Sequence, residues 1–363
     1  MTESLTFVMA GGGTGGHVVP SLAVAQELRK RGHHPIFIGT RHGMEARLVP
    51  AAGFPIEWIE IGGLNRVGVT RAARALWQLP WSVGRAARLL RSTRAAAVFS
   101  MGGYVAGPVM IAARCLRLPV VVMEPNAMPG MTSRWMGNLV QRALLTFPEA
   151  ERYFPAGRTE LTGLPVRREF LELPSKPREA TFTLLITGGS RGSRRLNQAA
   201  RASWPLFSKA RFPVRFIHQT GVEGHAEIER AFSESGMEGE IVPFIRDMPE
   251  AFAKADLLIC RSGAGAVAEL AAAGKPAILV PFPYAADQHQ LRNAEAVERS
   301  GAAKLVLDAE MTGERLFNEV TALAASEGQI ERMGRAARAL ARPDAAKRAA
   351  DIVEELGRRG DKH

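Results

Sequence analysis

One pattern constrains this chain more than any other, and it occurs twice: a short apolar run, a glycine-rich turn, then a helix. Leu5–Ala10 leads into Gly11-Gly12-Gly13-Thr14-Gly15-Gly16-His17 and a helix predicted from about Pro20 to Arg31. Phe182–Thr187 leads into Gly188-Gly189-Ser190-Arg191-Gly192-Ser193 and a helix from near Arg195. Apolar runs that do not alternate with polar residues belong to strands covered on both faces, which is the setting of a parallel sheet between helices. Further runs at Pro35–Gly39, Ala96–Ser100 and Val120–Met123 extend the first series. Val214–His218, Ile241–Val242, Leu257–Cys260 and Ala277–Val280 extend the second. The expectation is α/β, with two Rossmann-like domains. At 363 residues the chain can bury two such cores. The junction falls near 164–178, where two prolines and several charges interrupt the periodicity. That gives domains at 1–166 and 167–342, with a last helix at 343–357 that can pack back on the first domain.

Charge separates the two halves. The net charge is +11, and residues 1–166 hold 18 basic and 9 acidic residues. Between Glu60 and Glu124 there are nine arginines and no acid. Such a stretch fits an anionic membrane or a nucleic acid, or else a solvated arginine-rich face. Leu76, Trp77, Leu79, Trp81 and Val83 sit there among Arg71, Arg74, Arg85 and Arg88. Aromatics beside arginines suit the headgroup region, so Leu79, Trp81, Arg85 and Arg88 are the membrane candidates. Pro80 interrupts the spacing, which prevents assigning them all to one face. No zinc-finger or RNA-recognition spacing supports nucleic acid. No signal peptide and no membrane-spanning run are expected. Two cysteines, Cys115 and Cys260, give neither a disulfide framework nor a metal spacing.

The glycine turns let backbone N–H groups approach an anion or a sugar, and the helix that follows adds a partial positive charge. His17, on the first turn, is placed to take a proton from a substrate hydroxyl. Ser190, on the second, offers a hydroxyl to a diphosphate. No Asp-x-Asp pair suited to a metal-bound sugar diphosphate is present, and no metal site or cofactor is expected. Arg261-Ser-Gly-Ala-Gly-Ala-Val-Ala-Glu269 opens another helix, with Glu269 able to accept from two ribose hydroxyls. The loop 281–290, with Asp287, Gln288, His289 and Gln290, suits sugar hydroxyls. Tyr104, in Gly102–Pro108, and Glu124 fall on the same sheet edge as His17 and suggest an acceptor site.

Taken in order, the motifs at 10–18, 102–108, 124–126, 162–167, 188–192, 261–264 and 287–290 resemble the MurG family. Its members are bacterial UDP-N-acetylglucosamine:lipid I N-acetylglucosaminyltransferases of peptidoglycan synthesis. The resemblance spans nearly the whole chain and implies a GT-B fold, two parallel sheets facing a central cleft. It implies inverting transfer of N-acetylglucosamine to the C4 hydroxyl of MurNAc in lipid I, giving lipid II and UDP. By motif, Thr14, Gly15, Gly16, Asn126 and Arg167 contact substrate, and Ser190 meets the diphosphate. The backbone of Ile245 reads uracil. Ala264, Gly265, Ala266, Val267, Ala268 and Glu269 surround the nucleoside, and Gln288 or Gln290 holds the sugar. Implied partners are UDP-GlcNAc as co-substrate, lipid I, an anionic membrane surface and other cell-wall synthesis proteins, with no nucleic acid. The implied location is peripheral, on the cytoplasmic face of the membrane, with links to cell shape and division. Met123, Pro125, Ser193, Gly265 and Ala266 depart from the common family pattern. Three readings stay open beside this one: a GT-B transferase for a soluble acceptor, a nucleotide-sugar sensor without turnover, and an NAD-dependent dehydrogenase. The last lacks the ribose-binding acid expected after the first glycine turn.

Overall fold

The computed structural model describes residues 3–61, 69–174, 176 and 179–360, and for 69–76 and 360 the backbone alone. The side chains of Arg71, Arg74 and Leu76 therefore lie outside the described residues, as do Ser175, Pro177 and Arg178 of the expected junction. The chain forms two compact units, Met1–Val166 with Arg342–His363, and Arg167–Ala341.

In the first unit the strands are β1 (Thr6–Ala10), β2 (His34–Gly39), β3 (Ile56–Trp58), β4 (Ala95–Ser100), β5 (Val120–Glu124), β6 (Arg142–Leu145) and β7 (Thr159–Leu161). The helices between them are α1 (Gly15–Lys30), α2 (Glu45–Ala51), α3 (Val69–Ser92), α4 (Ala106–Cys115) and α5 (Met131–Met136). All pairings are parallel, in the order β3-β2-β1-β4-β5-β6-β7. The order reverses between β1 and β4, and open α/β sheets bind ligands beyond strand ends at that point. Val8, Ala10, Val98, Val120 and Val122 are fully buried beneath α3 and α4, whose Ala86, Leu90, Val109 and Met110 close the core. Each such Val, Leu or Met side chain contributes about 1.5–3 kcal/mol on burial, and each Ala less.

The second unit holds β8 (Phe182–Thr187), β9 (Val214–Gln219), β10 (Glu238–Val242), β11 (Leu257–Cys260), β12 (Ala277–Leu279) and β13 (Ala303–Leu305). Its helices are α6 (Arg194–Ala210), α7 (His225–Ser235), α8 (Met248–Lys254), α9 (Ala264–Ala273), α10 (His289–Arg299), α11 (Gly313–Ala325) and α12 (Gln329–Leu340). The sheet is again parallel, in the order β10-β9-β8-β11-β12-β13, with its reversal between β8 and β11. Phe207 anchors the core, meeting Phe212, Phe216 and Phe317 at centroid distances of 5.8, 5.7 and 5.0 Å. The last helix, α13 (Ala345–Gly360), packs on α1 and β4 of the first unit. Arg31 ties it down through Asp351 at 2.7 Å and Glu354 at 3.3 Å.

Two helices differ from expectation. α1 starts at Gly15, not near Pro20, so His17 lies in its first turn and not on a free turn before it. Thr14, in extended conformation, caps the helix, and its carbonyl accepts from the amides of His17 and Val18. α3 runs on through Pro80. The missing N–H and the ring clash cost about 3 kcal/mol in an isolated helix. Burial of Ser82, Ala86, Leu89 and Leu90 on the inner face offsets that cost. Among the described residues no helix is long and apolar enough to cross a membrane.

Candidate active site

In the first unit the ends of the adjacent strands β1, β4 and β5 carry the polar residues. After β1, Gly13 adopts φ +89°, a conformation that favours glycine. His17 Nδ1 lies 3.2 Å from Gly12 O. A carbonyl accepts only, so Nδ1 carries the proton and a neutral ring keeps its lone pair on Nε2. After β4, Gly102 and Gly103 have φ +74° and +79°, and a Cβ on Gly103 would touch the His17 ring. Tyr104 lies against Gly13, with its hydroxyl 3.3 Å from Thr40 Oγ1. After β5, Glu124 is buried, and burial pushes its carboxyl up to about 7 against hydrogen bonds from Ser133, Asn126 and Gly130. Its Oε1 accepts from Asn126 N at 3.1 Å and Asn126 Nδ2 at 3.3 Å. Glu124 is thus the support of Asn126 and lies inside the fold, not on an acceptor rim. The helix α3 presents Trp77 and Trp81, 74% and 71% exposed and one turn apart, with exposed Arg85 and Arg88 continuing the face. Leu79, half-buried and two residues before Trp81, is turned away from it.

In the second unit a cavity of about 860 Å³ opens beyond β8 and β11. That is a size suited to a small-molecule ligand. Its wall takes in the whole Gly188–Ser193 turn and the start of α6. Ser193 caps α6 by accepting from Leu196 N at 3.3 Å. Gly192 and Gly221 pack backbone to backbone, with φ +74° and +81° and no room for a side chain. Gly263, at the N-terminus of α9, lies on the same wall. Charged wall residues are Arg191, Arg194, Arg195 and Arg261 against Glu269 and Asp308. Two helix N-termini and a surplus of arginine favour a bound anion.

Arg261 is the hub of this wall. It donates to Asp308 Oδ1 at 2.6 Å, Ser193 Oγ at 2.7 Å, Val280 O at 3.0 Å and Pro281 O at 3.2 Å. Glu269 is half-buried, 3.6 Å from Arg167, whose guanidinium also covers Phe170 at 4.8 Å. Burial pushes the Glu269 carboxyl up to about 7, while the charge and hydrogen bond of Arg167 pull the other way.

Of the residues expected here, Ser190, Ala266, Glu269 and Gln290 line the cavity. Gln290 Oε1 accepts from Phe282 N at 2.9 Å, so its NH2 is the group it can offer to a sugar hydroxyl. Gln288 is exposed in a left-handed turn and does not form the wall. Ala264, Gly265 and Ala268 are partly buried on α9 beside the cavity, not in its wall, and Val267 is turned into the core. Ile245 also lies off the wall, while its neighbour Phe244 lines it. The Ile245 N–H is already used, donating to Gln219 Oε1 at 2.8 Å. Buried Gln219 in turn donates from Nε2 to Gly189 O at 2.8 Å, so one amide joins the 243–247 segment to the Gly188–Ser193 turn. Gln219, Arg261, Asp308 and Glu45 were not singled out from sequence. Arg261 stood inside a recognised motif; the others pair with residues remote in the chain and leave no local signal. Among the described residues no group of three His, Cys, Asp or Glu is placed to hold a metal ion.

Two parallel-sheet α/β units, one with an anion-favouring cavity at its switch point and one with a histidine at its own, fit the GT-B fold, and the family matches make the chain a glycosyltransferase. The glycosyltransferase family 28 N-terminal domain matches residues 7–145, and the family 28 C-terminal domain matches residues 183–355. The chain belongs to glycosyltransferase family 28, in its MurG group. It is 61% identical to the UDP-N-acetylglucosamine--N-acetylmuramyl-(pentapeptide) pyrophosphoryl-undecaprenol N-acetylglucosamine transferase of Solibacter usitatus (strain Ellin6076), over 98% of each chain. The protein of that name from Anaeromyxobacter sp. (strain Fw109-5) is 41% identical over 98% of this chain and 94% of its own. The crystal structure of Acinetobacter baumannii MurG superposes with a TM-score of 0.84 at 32% identity, covering 97% of this chain and 100% of that one. The kitacinnamycin glycosyltransferase shares the fold, with a TM-score of 0.74 at 19% identity over 98% and 100% of the two chains.

Proposed function

We propose that this enzyme transfers N-acetylglucosamine from UDP-GlcNAc to the C4 hydroxyl of MurNAc in lipid I, with inversion, releasing UDP and lipid II. The observation that carries the donor half is the arginine-rich cavity with its two helix N-termini and Glu269. The acceptor follows the names of the relatives, above all the Solibacter transferase at 61% identity. The second unit takes the UDP-sugar, and the first takes the lipid-linked acceptor.

In this reading the Gly188–Ser193 amides, Ser190 and the arginines hold the diphosphate and stabilise the charge that builds on it as the glycosidic bond breaks. Glu269 accepts from ribose hydroxyls, with Arg167 beside it, and Gln290 orients the sugar. The free backbone group at Ile245 is its carbonyl, which suits the uracil N3–H. His17 Nε2 removes the C4 proton as the hydroxyl attacks the anomeric carbon opposite the departing UDP. Thr14, Gly15 and Gly16 shape the approach to His17, and Asn126, held by Glu124, meets the acceptor. The exposed face Trp77–Trp81–Arg85–Arg88 rests on anionic headgroups, placing the enzyme peripherally at the cytoplasmic face of the membrane.

The test is an assay with labelled UDP-GlcNAc and a short-chain lipid I analogue, scored for UDP release and disaccharide formation. Stoichiometric UDP and disaccharide are expected. UDP-GlcNAc binding without turnover would make the protein a sensor, and turnover only with soluble aglycones would make it a different transferase.

A further inference from the structure

The peptide unit joining Gly12 to Gly13 is held at both ends. Its carbonyl oxygen, Gly12 O, accepts from His17 Nδ1 at 3.2 Å. Its amide, Gly13 N, donates to Glu45 Oε2 at 2.8 Å. Glu45 opens α2 and is fully buried. Its other oxygen, Oε1, accepts from Thr40 N at 3.0 Å and Thr40 Oγ1 at 2.9 Å. Three donors thus converge on its two oxygens and fix the side chain in place. Because Thr40 spends its hydroxyl proton on Glu45, Tyr104 is the donor across the 3.3 Å contact to Thr40 Oγ1. A methyl group at Gly12, Gly39 or Gly43 would overlap the Glu45 side chain. Glycine at these three positions therefore makes room for a carboxylate, not for a ligand.

We propose that Glu45 is a positioning residue for His17, acting through the Gly12–Gly13 peptide to hold the imidazole in its Nδ1–H form with Nε2 as the proton acceptor. The inference rests on the reading of His17 as the base. A carboxylate on the amide proton polarises the peptide and increases the negative charge on its carbonyl oxygen. That oxygen then holds the Nδ1 proton more strongly, against the Nε2–H form that an unconstrained neutral imidazole prefers. The arrangement does through one peptide unit what a carboxylate bonded directly to a histidine does in other active sites. Neither partner is near the other in sequence: Glu45 lies 32 residues beyond Gly13.

The experiment is 15N NMR of histidine-labelled enzyme, with the His17 signals identified by their loss in His17→Asn. The wild type should show the Nδ1–H tautomer. Glu45→Gln should shift the population toward Nε2–H and lower kcat about tenfold or more, while KM for UDP-GlcNAc stays within about twofold. Finding Nε2–H in the wild type overturns the proposal with no variant required. An unchanged tautomer in a folded Glu45→Gln protein overturns it as well. Normal turnover of His17→Ala would instead refute the base reading, while the tautomer result would stand by itself.

Discussion

Glu269 gives the sharpest quantitative handle on the donor site. Burial raises its carboxyl from an ordinary value of 4.5 to about 7, and Arg167 limits the rise. Ribose hydroxyls donate to a carboxylate, so UDP-GlcNAc binding should strengthen as pH rises through about 7. If only the ionised form binds, about a tenth of the protein is competent at about pH 6 and about nine tenths at about pH 8, so Kd should fall about tenfold across that interval. UDP-GlcNAc is the right probe, because the terminal phosphate of free UDP itself titrates near pH ~6. Glu269→Gln should remove the slope and weaken binding by about 1–3 kcal/mol, roughly 5- to 150-fold at about pH 8. Stability runs the opposite way. A carboxyl raised in the folded state contributes stability that is full below its unfolded value of 4.5 and is lost as pH rises through about 7. Affinity should therefore grow across a window in which the Glu269 contribution to stability declines. Calorimetric titration at the two pH values decides the matter. A flat Kd in the wild type, or an unchanged slope in Glu269→Gln, would rule out Glu269 as the ribose ligand.

Other sites yield shorter tests. Arg261→Met removes the pair with half-buried Asp308 and three further hydrogen bonds. It should cost about 2–4 kcal/mol and lower Tm by about 4–12 °C, with part of the loss recovered when Asp308→Asn is added; thermal unfolding of the single and double variants checks this. Gln219→Leu cuts the link between Gly189 and Ile245 and should raise KM for UDP-GlcNAc about tenfold with little change in KM for the acceptor, read from steady-state kinetics. Replacing Trp81, Arg85 and Arg88 together should weaken flotation with anionic vesicles by about tenfold or more, at roughly 1 kcal/mol for each arginine, and leave turnover of a detergent-soluble acceptor intact.

The parts of this fold that show in the sequence are those with a strong local signal. The buried strands β1, β8 and β11 are mostly apolar runs that lead into glycine-bearing turns, so both their type and the turns after them are legible. The short strands β3, β6, β7 and β13 have only three or four residues each and carry polar side chains, so nothing local distinguishes them from loop. Gly15 and Gly16 look like a continuing turn because glycine disfavours helix, yet they begin α1 once Thr14 caps it. Pro80 looks like a break because the cost of proline is local, whereas the burial that outweighs it belongs to the whole helix. Ser190, Glu269 and Gln290 were visible because each stands in a short motif after a strand. Glu45 and Gln219 bind backbone groups about 30 residues away, and only the folded sheet brings them there.

The proposed function divides the labour: the second unit binds the donor and His17 of the first unit does the proton transfer. Measuring UDP-GlcNAc affinity and turnover side by side for His17→Ala and Glu269→Ala tests it most directly. His17→Ala should keep wild-type donor affinity within about twofold and lose about 10²-fold or more in turnover. Glu269→Ala should lose donor affinity, with turnover falling through KM. Near-normal turnover of His17→Ala, or donor binding weakened in it as much as in Glu269→Ala, would overturn that division.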